Sequence, residues 1–157
     1  MTDAENSQPV VIERVFDAPV ERIWQMWTVP EHFQSWYGPT GATIPVAKMD
    51  VPPHVGGVRL ICMEMQTPNG PMQMWFTGEY VEVVENQRLV YTEAVSDETG
   101  QVPDESGGHG VTEVRVELAA VDGRTRMVLT HVGVPAGSPG ATGWNMAFDK
   151  LTAAIGT

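Results

Sequence analysis

A chain of 157 residues fits one domain and can bury roughly two-thirds of the surface its unfolded form exposes. Hydrophobic residues make up 42% and charged residues 18%, a globular composition that excludes a disordered chain. Asp and Glu number 20 against 9 Lys and Arg, and the net charge of −11 excludes phosphate backbones and anionic lipid surfaces as expected partners.

Residues 1–9 are polar and acidic and read as a flexible arm, with neither the basic start nor the apolar stretch of a signal peptide. No apolar run approaches the ~20 residues of a membrane-spanning helix. The one cysteine, Cys62, lies in an apolar run and reads as a small buried hydrophobe. These features predict a cytoplasmic protein.

Val10 to Phe16, rich in β-branched and aromatic residues, predicts a first strand. Asp17 offers a helix cap before Pro19, and Ile23, Trp24 and Trp27 follow at helical spacing. Pro30 and Glu31 open a second short helical segment carrying Phe33, Trp36 and Tyr37, stopped by Gly38-Pro39. A strand is expected near Thr43 to Val51, and Gly56-Gly57 releases another from Val58 to Gln66. Pro68-Asn69-Gly70 predicts a hairpin into Met72 to Val84, and Asn86-Gln87 turns into Arg88 to Val95. Ser96 to Gly110 has almost no apolar residue and reads as a long mobile loop.

Val111 to Ala120 alternates, with Thr112, Val114, Val116 and Leu118 on one face. Asp122-Gly123 closes a two-residue hairpin into Arg124 to Val134, where Thr125, Met127, Leu129 and His131 share a face. A final helix is expected from about Ala141 to Ile155, because Trp144, Phe148, Leu151 and Ile155 recur as one stripe. Residues 10–157 thus form a single α+β domain in which a curved antiparallel sheet of about seven strands wraps the long C-terminal helix. A sheet with one dry face needs a cover, and only that helix is long enough.

The order and spacing of several short pieces carry a resemblance. They are Phe16-Asp17-Ala18-Pro19 with Trp24, Trp36-Tyr37-Gly38-Pro39, Asp50 with Gly56-Gly57, Phe76 with Gly78, Tyr80, Glu82 and Val83, Arg88-Leu89-Val90, and Gly143-Trp144. Together they resemble the single-domain proteins related to the activator of the heat-shock-protein-90 ATPase, within the START-like or SRPBCC superfamily. The resemblance covers nearly the whole chain. It implies a helix-grip fold with an internal pocket, used in related branches for lipids, polyketides and other hydrophobic molecules, and it implies no shared reaction. It also implies that Trp36 and Trp144 line the cavity or its mouth. A lone domain of this kind lacks the chaperone-binding domain of the eukaryotic activator. Where the family commonly has an inward-facing aromatic residue at the second position after the Gly56-Gly57 pair, this chain has Arg59.

Arg59 shares a strand face with Ile61, Met63 and Met65, and a buried guanidinium must find an acid, a carbonyl or an anionic ligand group. Glu93 is the acid proposed for it; a one-residue slip in register would instead put Arg59 in solvent, and Glu93 also reads as strand-surface decoration. The four histidines, His32, His54, His109 and His131, show no metal-ligand spacing, and no cofactor motif is present, so neither a metal nor a cofactor is expected. Met63, Met65, Met72, Met74, Met127 and Met146 suit either an adaptable pocket or ordinary core filling.

The expected activity is therefore binding of a small hydrophobic ligand. Ile61, Met63, Phe76, Met127, Leu129, Trp36, Trp144 and Phe148 would supply apolar contacts, and Arg59, Tyr91 and His131 would fix its orientation. A cofactor-independent cyclase, dehydratase or hydrolase using His131 or Glu93 for proton transfer is one alternative. A chaperone-activating interaction module is the other.

Overall fold

Seven strands form one antiparallel sheet in the order β1-β7-β6-β5-β4-β3-β2. The computed structural model describes residues 9–38, 41–45, 49–50, 54–101, 111–133 and 139–155. Most of the N-terminal arm, the 102–110 part of the long loop with its His109, and the 134–138 connection lie outside the described residues.

β1 (Val10–Phe16) leads into α1 (Val20–Thr28) and the four-residue α2 (Pro30–Phe33). The sheet then runs through β2 (Met49–Asp50), β3 (Val58–Thr67), β4 (Gly70–Val84), β5 (Arg88–Ser96), β6 (Thr112–Val121) and β7 (Arg124–Val132), and the chain closes with α3 (Pro139–Ile155). This is the helix-grip arrangement. Two expectations are corrected. The N-cap of α1 is Pro19, with no side-chain cap, because Asp17 stands two residues too early to reach the first turn. Of the strand expected over 43–51, the described residues show a bridge between Thr43 and Glu64 and the two-residue β2, with 44–45 outside any strand; residues 46–48 and 51 lie outside the described residues.

The period-2 pattern of β6 and β7 is realised residue by residue. Val114 faces His131, Val116 faces Leu129 and Leu118 faces Met127, and all six side chains are buried on the face that α3 covers. Between them Asp122 and Gly123 both take positive φ, 52° and 79°, as a two-residue hairpin matched to strand twist requires. β1 completes this edge through Val10 opposite His131 and Phe16 opposite Thr125.

The gap between sheet and helix is filled at one end by aromatic rings. Trp27 meets Trp36 edge to face at 4.7 Å, Phe33 stacks on Tyr37 at 4.5 Å, and Trp144 stacks on Phe148 at 5.5 Å. Trp36 donates its indole N–H to the Met26 carbonyl, which ties the turn after α2 to α1. The Thr125 hydroxyl donates to the Ala18 carbonyl at 2.7 Å and fixes the start of the helix pair against β7. No helix among the described residues is long and apolar enough to cross a membrane.

Candidate functional site

The aromatic filling stops short of the other end of the helix. There a pocket of about 170 Å³ opens between α3 and the sheet, lined by Tyr37, Gly38, Met63, Phe76, Glu93, His131, Gly143, Trp144 and Ala147. Its walls are mostly apolar, and Tyr37, Glu93 and His131 are the polar side chains on them. Larger hollows exist on the solvent face of the sheet, but one of them holds the Arg88–Glu117 ion pair and Arg126, a charged setting unlike a site for an apolar molecule.

Two glycines shape the pocket. Gly38 takes φ 87°, and a Cβ there would approach Met63 Cε and Ala42 Cβ to 3.1 and 3.2 Å, so a side chain would press into the wall. Gly143 lies on the first turns of α3, and a Cβ there would meet no described atom within 4 Å. Its missing side chain leaves open space beside Trp144. Lys150, on the same helix, donates to the Tyr37 carbonyl at 3.3 Å and links α3 to the segment across the pocket.

His131 is held from both sides. The Trp144 indole N–H, which can only donate, points at His131 Nδ1 at 3.0 Å, so Nδ1 accepts and the ring carries its proton on Nε2. Nε2 then donates to Thr112 Oγ1 at 2.9 Å, and the Thr112 hydroxyl donates to the Glu93 carbonyl at 3.1 Å. The relay runs from α3 through β7 and β6 to β5 and orients the two residues that frame the pocket.

Behind Glu93 lies Arg59, 2% exposed. Its guanidinium carbon stands 3.6 Å from the centre of the Tyr91 ring and 5.4 Å from that of Tyr80, and Nη1 is 3.9 Å from Glu93 Oε2. Burial works to lower the Arg59 pKa, but the phenolic oxygens of Tyr91 and Tyr80 and the Glu93 carboxylate outweigh it, and the net direction is up. β4 separates the two charged residues and carries Gly78 opposite Arg59, so no side chain stands between them on that strand. Tyr37 donates its hydroxyl to the same Glu93 Oε2 at 2.9 Å. Burial, then the adjacent Glu93, push the Tyr37 phenol well above its ordinary range, so it stays a donor.

Of the residues expected at a site, Met63, Phe76, Glu93, His131 and Trp144 come together around the pocket. Trp36, Ile61, Met127, Leu129, Phe148 and Tyr91 are buried but form the packed core beside it, and Arg59 stands one layer behind its wall. Met72 and Met146 face solvent, so the pocket is not lined by a methionine stripe. The polar pocket residue that sequence reasoning missed is Tyr37, taken there as one of a run of helical aromatics. Gly38 and Gly143 were missed as well, although each sits beside an aromatic residue in the short motifs that carry the resemblance. Among the described residues, no group of His, Cys, Asp and Glu side chains could hold a metal ion.

Residues 17–156 match the family model described as activator of Hsp90 ATPase homolog 1-like protein. Solved structures of the same fold include a protein from Chromobacterium violaceum, 23% identical with a TM-score of 0.76, covering 94% of this chain and 96% of that one. Another, from Arthrobacter aurescens, is 24% identical with a TM-score of 0.75, covering 96% of this chain and 87% of that one. The protein of this family from Silicibacter pomeroyi is 19% identical with a TM-score of 0.75, covering 94% and 97%. At these identities the likeness shows the fold. No curated protein matches the chain. With a family model fitted over nearly the full sequence and a helix-grip fold shared with solved structures, this chain belongs to the activator of Hsp90 ATPase homolog 1-like family.

Proposed function

We propose that this protein binds a small, largely apolar molecule between α3 and the sheet, as a carrier or sequestering protein of the cytoplasm. The observation behind this reading is that Met63, Phe76, Trp144 and Ala147 converge on one pocket without filling it, whereas rings close the same seam elsewhere. Apolar walls with a few fixed polar groups are what a small-molecule site requires. The buried lone cysteine suits a reducing compartment.

A thermal-shift screen of the full chain against apolar and aromatic compounds, with native mass spectrometry for species carried through purification, tests the reading. A ligand at 100 times its dissociation constant adds about 2.7 kcal/mol to the folded state, a visible change in midpoint. The absence of both a shift and a co-purifying species across a broad panel would reject it.

Glu93 favours a second reading, acid–base catalysis without a cofactor. It is a buried carboxylate, hydrogen-bonded by Tyr37, on the wall of the pocket. Once a ligand is in hand, Glu93→Gln separates the readings: an enzyme loses turnover by about 10²-fold or more, whereas a carrier has no turnover to lose.

A further inference from the structure

The pocket's size and its hydrogen-bonding balance go beyond its being apolar. Its volume, about 170 Å³, is close to the roughly 150 Å³ of an apolar cavity known to admit benzene, and well below the ~300–1,000 Å³ of drug-sized sites. One ring fits.

The polar groups on the wall differ in what they have left to offer. Tyr37 gives its hydroxyl proton to Glu93, and both ring nitrogens of His131 are engaged, with Trp144 and Thr112. The donors are committed inside the protein. The Glu93 carboxylate is acceptor-only, with about four lone-pair positions on two oxygens. The described bonds engage Oε2, through Tyr37, and leave acceptor capacity on the pocket wall.

Charge narrows the choice. An anionic ligand would meet Glu93 directly, while Arg59 is turned into the core against Tyr91 and does not line the pocket. An ammonium group would enter beside a guanidinium already 3.9 Å from the same carboxylate oxygen. A neutral donor avoids both conflicts.

We infer that the pocket selects a neutral single-ring molecule bearing one hydroxyl or N–H group, a simple phenol being the type, with Glu93 accepting its hydrogen bond and Met63, Phe76 and Trp144 enclosing the ring. Tyr37 and Arg59 position Glu93. The inference rests on the ligand-binding reading above and names its ligand class.

The test is a titration of the full chain with 4-methylphenol, toluene, benzoate and decanoate, followed by calorimetry or by Trp fluorescence. Binding of 4-methylphenol at least tenfold tighter than toluene is expected, a margin in keeping with a hydrogen bond to a charged acceptor, and benzoate should not bind measurably. Glu93→Gln should cut the preference for 4-methylphenol over toluene to below threefold. Gly143→Leu, which places a side chain in the open space beside Trp144, should abolish binding of both without lowering the unfolding midpoint. Equal affinity for toluene and 4-methylphenol, tighter binding of benzoate, or a preference that survives Glu93→Gln would overturn the inference while leaving an apolar binding site. Binding of decanoate alone would likewise overturn the one-ring limit and keep the broader reading. Failure of all four ligands would remove the inference and count against that reading too. Should Glu93→Gln not fold, the ranking of the four ligands on the unmodified chain decides the matter.

Discussion

Trp27 Nε1, Arg59 Nε and the hydroxyls of Tyr80 and Tyr91 are buried with no hydrogen-bond partner among the described residues. The Tyr91 hydroxyl is the simplest of these to remove, because the Arg59 guanidinium keeps its contact with the ring, whose centre lies 3.6 Å from the guanidinium carbon. Deleting a buried polar group that lacks a partner removes a desolvation cost, so Tyr91→Phe should leave stability at pH 7 unchanged or raise it by up to about 1 kcal/mol in urea unfolding. A loss above that would reveal a bonded hydroxyl. The same variant has an alkaline signature. Burial raises the folded-state pKa of Tyr91 well above ordinary, with the Arg59 charge pulling the other way, and it raises that of Tyr37 too. Above about pH 10 the unfolded chain therefore releases protons that the folded chain keeps. The stability these two phenols contribute is complete below pH 10 and is lost as pH rises, by about 1.4 kcal/mol per pH unit for each such tyrosine. Tyr91→Phe should lessen that slope by one group's share.

At the scale of elements, the strands with one dry face were the easiest to read. β6 and β7 bury alternate residues as their sequence pattern requires, and their Asp-Gly turn fixes the register. The stripe of Trp144, Phe148 and Leu151 on α3 was equally plain. β2 falls inside the strand expected over 43–51, but the interruption at 44–45 was not legible, since so short a break leaves no period to detect. The irregularity of β4 was also hidden. Its pairing with β5 shifts between Tyr80 and Glu82, and two residues before this region a Cβ on Gly78 would lie 1.7 Å from the Thr92 carbonyl oxygen. Backbone cannot yield that distance without breaking the β4–β5 ladder. Gly78→Ala should therefore cost at least about 3 kcal/mol in equilibrium unfolding, beyond ordinary overpacking. A cost below 1 kcal/mol would mean that the strands separate there with little resistance.

Across the whole molecule, the fold was legible in the sequence to a greater degree than the site. Inward faces follow from periodicity, which is local, and they marked Met63, His131 and Trp144 as interior. Which interior residues border empty space depends on how far α3 stands from the sheet, and no local pattern reports that distance. Thus Ile61, Leu129 and Phe148 could not be told from true pocket residues. Glu93 shows the same limit, because its choice between surface and interior was settled by Arg59 and Tyr37, from distant segments.

The strand order has a further consequence, in the history of the chain as it is made. β1 is synthesised first but lies beside β7, so Val10 must wait for His131 before its edge is paired. At ~5–20 residues per second the delay is on the order of ten seconds on the ribosome. For that time the nascent chain presents a strand containing Val10, Val11, Ile12, Val15 and Phe16 with no neighbour, a template for pairing with another chain. Pulse-labelling hydrogen exchange during refolding should find the β1 amides protected last, together with their β7 partners and after the β3–β4 hairpin, whose contacts are local. Early protection of β1 would mean that the two ends of the chain find each other before the middle of the sheet has formed.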